Sequence, residues 1–220
     1  MDLQKKIPPS RILKTVPPAK IKKDLERYRA LAIELGADTA AVIPTREISI
    51  DERVRAKCQI PLCKHYGGNF NCPPYAPDLD FMRRVLRRYR HAILFSVKGP
   101  TADFAGENRK RGIKDNPARL RLFQICSKIE STAFYDGYYL ALALGQGPCK
   151  TLWCLDQPCA ALQPGGSCRY PLKTRLSVES VGIDVFKLVA GRGWDIFPCG
   201  ERVDESKLPH VLLVGLILVC

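Results

Sequence analysis

Ten cysteines in a chain of 220 residues constrain this protein more than any other feature of its sequence. Seven of them form two sets with the same spacing. One set reads C-x4-C-x8-C followed directly by proline, and the other contains the same two gaps, preceded by one more cysteine five residues upstream. The first set is Cys58, Cys63 and Cys72, and the second set is Cys149, Cys154, Cys159 and Cys168.

The chain shows no recognisable signal peptide, because its N-terminus is basic and interrupted by prolines, with no apolar stretch behind it. We therefore expect a cytoplasmic protein, in which clustered cysteines bind metal or carry out redox chemistry more often than they form disulfides. The apolar run at 211–219 is too short for a bilayer, which takes roughly 20 residues, so it predicts a buried strand and no membrane span.

The pattern between the cysteines predicts a duplicated α/β unit. Each half reads helix, strand, cysteine loop, helix, strand, which favours a sheet of at least four strands covered by helices. Apolar residues at helical spacing predict helices over 20–35, 78–90, 118–136 and 177–191, the second capped by Asp78. Short apolar runs predict strands over 39–43, 92–97, 138–144 and 211–219.

The same pattern predicts the domain organisation. Residues 1–24 are basic and contain two proline pairs, so we expect an extended N-terminal arm. A cysteine-rich metal-binding domain follows over 25–220. Its internal halves span about 25–97 and 115–220, and the linker at 98–117 is rich in glycine, proline and charge.

The cysteine spacing favours iron–sulfur clusters over zinc. A cubane [4Fe-4S] cluster takes up to four cysteines, its width allows several residues between ligands, and proline often follows the last cysteine. Structural zinc more often uses a tight C-x2-4-C pair. We therefore expect two [4Fe-4S] clusters, with zinc as the alternative. The fourth ligand of the first set is open among Cys126, Cys199, His65 and an exchangeable group, although Cys126 on an apolar helix face is more typical of a buried core residue.

Short motifs around the cysteines occur in a recognisable order, namely 54–58, Cys63, 71–75, 168–171, Arg175, Ser177, Glu179 and 182–185. These motifs resemble a known family, the predicted metal-binding proteins named domain of unknown function 2284. The resemblance covers roughly 25–220 and implies metal binding, by iron–sulfur clusters, in anaerobic bacteria and archaea, without an established reaction. The central cysteines are more widely spaced than in the family, and its Arg-Pro-Ser-Met-Glu run is Arg-Leu-Ser-Val-Glu at 175–179.

The net charge of +13 predicts an acidic partner. The arginine-rich segment 81–90 favours docking of an acidic redox protein such as a ferredoxin, whereas nucleic acid ranks lower because no zinc-finger, helix-turn-helix or RNA-binding signature is present. Nucleotide-binding and hydrolase motifs are also absent. Three functions remain: an electron-transfer protein, a reductase whose three-cysteine cluster leaves one iron open for substrate, and a structural zinc or nucleic-acid-binding module.

Overall fold

The computed structural model describes residues 10–106 and 116–220. The first nine residues of the predicted N-terminal arm and positions 107–115 of the predicted linker therefore lie outside the described residues.

A four-stranded antiparallel sheet forms the centre of the described chain, with strand order β1-β2-β4-β3. In the middle of the sheet, Ile93 of β2 lies opposite Val42 of β1 and Ile217 of β4. This sheet confirms the predicted α/β class and its minimum of four strands. The strands are β1 (Thr39–Pro44), β2 (His91–Gly99), β3 (Leu142–Leu144) and β4 (Val211–Leu218).

Helices cover both faces of the sheet. Successive strand residues point to opposite sides, so the apolar strands need a layer of helices on each face. Phe95 of β2 packs in a core with two long helices, while the neighbouring Leu94 belongs to a second core on the other face. No helix in the described part of the chain is long and apolar enough to cross a membrane. The first face carries α1 (Pro18–Glu34) and α4 (Pro117–Tyr135). The second face carries α3 (Leu79–Leu86) and α6 (Val185–Ala190). Two short helices, α2 (Glu52–Ala56) and α5 (Lys150–Trp153), border the cysteine loops.

Side-chain caps mark the starts of several of these helices, whereas α1 and α5 have none. The backbone N–H of Phe81 donates to Asp78 Oδ1 at 2.8 Å, which confirms the predicted cap of α3. Asn116 and Asp184 cap α4 and α6 in the same way. Each cap satisfies an N–H group that has no partner within the helix and contributes about 1 kcal/mol.

Several predicted boundaries are wrong. Helix α1 begins at Pro18, so 18–24 are helical and not part of an extended arm. The predicted strand at 138–144 is reduced to β3, because Tyr138 turns inward and donates to Asp24 Oδ2 at 3.0 Å. The predicted helix at 177–191 is interrupted by Gly182, whose φ of 81° is left-handed, and only α6 and one turn of 3-10 helix form. The duplication itself stays a prediction.

Candidate metal centre

The first cysteine set lies in the long loop between β1 and α3, and Arg55 holds both ends of that loop. Its Nη1 donates to the carbonyls of Pro77 at 3.0 Å and Ser180 at 2.7 Å, and its Nη2 donates to the carbonyl of Ala76 at 3.4 Å. Arg55 stands just before Cys58, and its acceptors lie just after Cys72 and in the second half of the chain. One guanidinium therefore joins the start of the loop, its end and the opposite half.

Backbone hydrogen bonds fold the first loop back on itself. The N–H of Cys63 donates to the carbonyl of Cys58 at 3.0 Å, and the N–H of Cys72 donates to the carbonyl of Asn69 at 3.2 Å. Gly67 adopts a φ of 69°, which a glycine tolerates without steric cost, and this bend lets its N–H reach the carbonyl of Pro73 at 2.7 Å. These hydrogen bonds connect the segments that carry the three cysteines of the first set within one folded loop.

Basic side chains and a glycine contact shape the second cysteine loop. Lys150 Nζ donates to the carbonyl of Gln157 at 2.9 Å, and Arg169 Nη1 donates to the carbonyl of Pro158 at 2.7 Å. Gly166 must be glycine, because a Cβ there would stand 2.0 Å from the carbonyl oxygen of Ala160. These contacts draw the segments around Cys149, Cys159 and Cys168 together.

The thiol of Cys168 has polar contacts within its own loop. Its Sγ accepts a hydrogen bond from the N–H of Tyr170 at 3.4 Å and lies 3.6 Å from Thr174 Oγ1. Cys154 is half-buried and directly follows α5 in the same loop. Donors of this kind orient a sulfur ligand and lower its basicity.

The two cysteine sets meet through a pair of asparagines. Asn71 Nδ2 of the first loop donates to Cys149 Sγ of the second set at 3.5 Å, and Cys149 Sγ contacts Asn69 Oδ1 at 3.7 Å. Burial raises the pKa of Cys149 to about 12, and the charges of Cys72, Cys159 and Cys168 add to the rise while Asn71 opposes it. Cys72 thus lies within electrostatic range of the second set.

The thiols of the first set influence one another in the same way. Burial raises the pKa of Cys72 to about 11; Asn69 opposes this rise, and the charges of Cys58 and Cys63 add to it. Within the described ranges, no three His, Cys, Asp or Glu side chains lie close enough together to hold a single metal ion.

The chemistry of this donor set fits a cationic metal group. Thiols with pKa values this high are neutral at pH 7, and metal ligation requires the thiolate, so a bound cation would supply the charge that burial withholds. The buried Asn69 Nδ2 has no hydrogen-bond partner among the described residues, although Asn69 lies beside Cys72. An amide donor in this position can hydrogen-bond to a ligating sulfur.

The candidates for the fourth ligand of the first set fall in different places. Cys126 is fully buried in the core between α4 and the sheet, where its thiol donates to the carbonyl of Leu144 at 3.4 Å, as expected for a small core residue. His65 and Cys199 line one cavity. Burial lowers the pKa of His65 to about 4, helped by the charges of Lys64 and other nearby cations.

Sequence reasoning missed three residues around this centre. Asn71 stands directly before Cys72 and Asn69 three positions before it, and this N-x-N run next to a candidate ligand was a usable signal for polar support. Arg119 lines the cavity beside His65. It precedes Leu122 by three positions, so the helical period already placed this arginine on the buried stripe of α4, where a charge needs a partner.

The fold and the paired loops define a mixed α/β protein in which two cysteine-rich loops lie beside each other. The chain belongs to the family of predicted metal-binding proteins called DUF2284, which matches residues 41–219 and confirms the resemblance seen in the sequence. No curated protein and no solved structure matches this chain significantly.

Proposed function

We propose that the two cysteine sets hold two [4Fe-4S] clusters and that the protein transfers electrons to or from an acidic redox partner, such as a ferredoxin, in the cytoplasm. The observation that carries this proposal is the contact between the sets. Asn69 and Asn71 of the first loop both reach Cys149 of the second. Groups bound by the two loops would therefore be neighbours, as electron transfer between them requires.

The number and arrangement of the thiols support clusters over zinc. Seven cysteines are three more than one structural zinc uses, and the first set alone would need a non-cysteine ligand to close around a zinc ion. Sulfurs around zinc stand about 3.8 Å apart, given Zn–S bonds of about 2.3 Å in a tetrahedron. A cubane is wider, so the thiols of one set can stand further apart around it than around a single zinc ion. When bound, such clusters supply one-electron redox chemistry.

The surface around the cysteine loops suits a protein partner. Large apolar side chains stand exposed within or beside the loops, and solvent-exposed apolar groups clustered in this way commonly mark an interaction site. Arg84 and Arg88 lie exposed at and beyond the end of α3, where their charge can steer an acidic protein towards this surface. The exposed apolar residues are Ile60, Leu62, Phe70, Tyr75 and Leu172, between 48% and 81% exposed.

Anaerobic purification followed by iron, acid-labile sulfide and zinc analysis tests the proposal. We expect about eight irons and about eight sulfides per chain, because each cubane holds four of each. Cys72→Ser and Cys149→Ser should each lower the iron content. Cys220→Ser is the matched control, because Cys220 follows β4 outside both loops, and it should retain full iron. Stoichiometric zinc without sulfide would contradict the proposal and favour the structural zinc module.

A second function, a reductase with an open three-cysteine cluster, is favoured by the cavity beside the first set. His65 and Cys199 line this cavity, so either side chain or an exchangeable group can complete the set. Cyanide or an added thiol should change the spectrum of the intact protein if the position is exchangeable. If His65→Ala or Cys199→Ser instead abolishes the first cluster and added ligands change nothing, simple electron transfer is the better account.

A further inference from the structure

A cavity of about 470 Å³ lies between the two cysteine loops. Lys64 and His65, directly after Cys63, form one part of its wall, and Gly147 and Pro148, directly before Cys149, form another. Apolar side chains complete it, namely Phe104, Val211 and Leu213. A small molecule in this space would therefore meet both loops, cationic side chains, an apolar wall and, on one side, the carboxylate of Asp103, which accepts a hydrogen bond from Asn116 Nδ2 at 3.0 Å.

Arg119 is the central charge of this cavity. It is only 9% exposed, and its guanidinium donates to Thr151 Oγ1 and to the carbonyl of Pro148 at 2.7 Å. These contacts use two of its five N–H donors, and it forms no ion pair within the described ranges of the chain. Burial lowers its pKa to about 10, so it stays protonated at pH 7. Glu179 and Cys149 lie within electrostatic range of Arg119 without forming an ion pair with it, so an anion in direct contact would offset part of the cost of burying this cation.

Glu179 supplies a different kind of group to the same cavity. Its Oε2 atom is shielded from solvent and has no hydrogen-bond partner in the part of the chain that the structure describes. Burial raises the pKa of Glu179, and this outweighs the lowering by hydrogen bonds that include those from Gln146 and the N–H of Gly147. Because Oε2 is buried and has no partner among the described residues, it is free to meet a polar group of a ligand.

We infer that this cavity binds a small organic monocarboxylate, with the ligand carboxylate on Arg119, its carbon body against the apolar wall and a second polar group at Glu179. The planar guanidinium matches a carboxylate in a two-point contact. The exposed Lys64 adds positive charge at the cavity wall. This inference identifies the substrate class of the reductase alternative, and it rests on the proposed function for the redox centre beside the cavity.

The same residues disfavour a phosphate dianion. One buried guanidinium supplies a single positive charge, and Glu179 lies close enough to Arg119 to influence it electrostatically. A second negative charge on the ligand would meet this carboxyl group without a second buried cation to offset it. The apolar wall also has no role in binding a compact inorganic ion, whereas it shelters the hydrocarbon part of a carboxylic acid.

Calorimetric titration of the full chain, purified without oxygen, tests the inference. The probes are phenylacetate, its neutral match phenylacetamide, and inorganic phosphate. We expect saturable binding of phenylacetate alone. Arg119→Gln should weaken it at least about tenfold, the loss of about 1.4 kcal/mol expected for a charged hydrogen-bonding group. The control Arg121→Gln removes an exposed arginine from the same helix and should leave the affinity unchanged.

A second pair of variants keeps the test decisive if Arg119→Gln does not fold. Lys64→Gln should weaken phenylacetate binding, whereas Lys57→Gln, which removes an exposed lysine beside Cys58, should not. Equal binding of phenylacetamide, saturation by phosphate only, or equal losses in both lysine variants would overturn the inference. No saturable binding would also overturn it and would leave Arg119 with the structural role of holding Thr151 and the carbonyl of Pro148 in place.

Proton spectra of bound phenylacetate separate this inference from the proposed function. After reduction with dithionite, a paramagnetic cluster beside the cavity should broaden the ligand resonances. Binding without broadening supports the carboxylate site and contradicts the neighbouring cluster. Iron and sulfide in full yield without phenylacetate binding contradicts the site and leaves the electron-transfer proposal intact.

Discussion

Replacing Arg55 with methionine tests how the first cysteine loop is held in place. The change keeps an unbranched apolar side chain out to the position of Nε but removes the donors that join the carbonyls of Ala76, Pro77 and Ser180. Ala76 and Ser180 are 3% and 2% exposed, so water replaces the lost donors poorly. A hydrogen bond to a charged group contributes about 1.5–3 kcal/mol, and leaving a buried acceptor unpaired costs about 1–3 kcal/mol.

With two well-formed bonds and one long one, we expect Arg55→Met to lower the free energy of unfolding by about 3 kcal/mol. In a chain of this size that corresponds to a fall in the unfolding midpoint of about 6–12 °C. Thermal unfolding followed by circular dichroism measures the shift, and the rate of metal loss to a chelator should rise with it. Arg55→Lys should recover only part of the loss, because an ammonium group lacks the planar fork.

Arg53→Met is the matched control, because Arg53 lies on the same short helix. Its side chain is 88% exposed and pairs with Asp51 at the surface, where such pairs contribute little. We expect its unfolding midpoint to stay close to that of the wild type. If Arg55→Met behaves like Arg53→Met, the three carbonyl contacts do not hold the loop, and the reasoning is refuted.

Two further predictions concern charge. Arg84→Glu combined with Arg88→Glu should slow reduction of the protein by an acidic electron donor at low salt and leave its stability nearly unchanged, because exposed charges steer encounters more than they stabilise folds. Stopped-flow kinetics measures the rate of this reduction. The control, Lys22→Glu with Lys23→Glu on the opposite face of the sheet, should not slow it. Burial raises the pKa of Asp24, but hydrogen bonds from three neighbouring side chains outweigh it and lower the pKa. A carboxyl group whose pKa is lower in the folded state stabilises the folded protein when the pH is above its unfolded-state pKa of about 3.9. This stabilisation is lost as the pH falls through the folded-state pKa. The urea midpoint of Asp24→Asn should therefore lie below that of the wild type at pH 7 and approach it near pH 3.

The elements predicted correctly are those with local causes. The apolar runs of β2 and β4 are bounded by polar and proline-containing segments, so their strands follow from neighbouring residues alone. Asp78 caps α3 through an N–H only three residues away. The segment 177–191 was predicted less well, because its apolar residues can be buried either by one continuous helix or by two shorter helical segments. The left-handed φ of Gly182 breaks the helix, so two shorter segments form.

The parts of the site that the sequence did not predict depend on contacts between its halves. Arg55 and Ser180 are 125 positions apart, and Asn71 and Cys149 are 78 apart. Spacing within each set identified the cysteines as a group, but spacing holds no information about which loop lies beside which. The strand order, the meeting of Cys72 with the second set and the cavity around Arg119 all follow from tertiary packing.

The strand order alone would separate the two cysteine loops. Each step across the sheet reverses direction, so β1 and β3 are antiparallel, and the loops that follow them leave from opposite ends. A symmetric arrangement of the two predicted halves would keep the two sets apart. The first loop instead crosses to the second half, where Ile50 pairs with Ile183 and the N–H of Asp51 donates to the carbonyl of Gly182 at 2.8 Å. This crossing brings Asn69 and Asn71 of the first loop to Cys149 of the second, and residues from both halves line the cavity beside them.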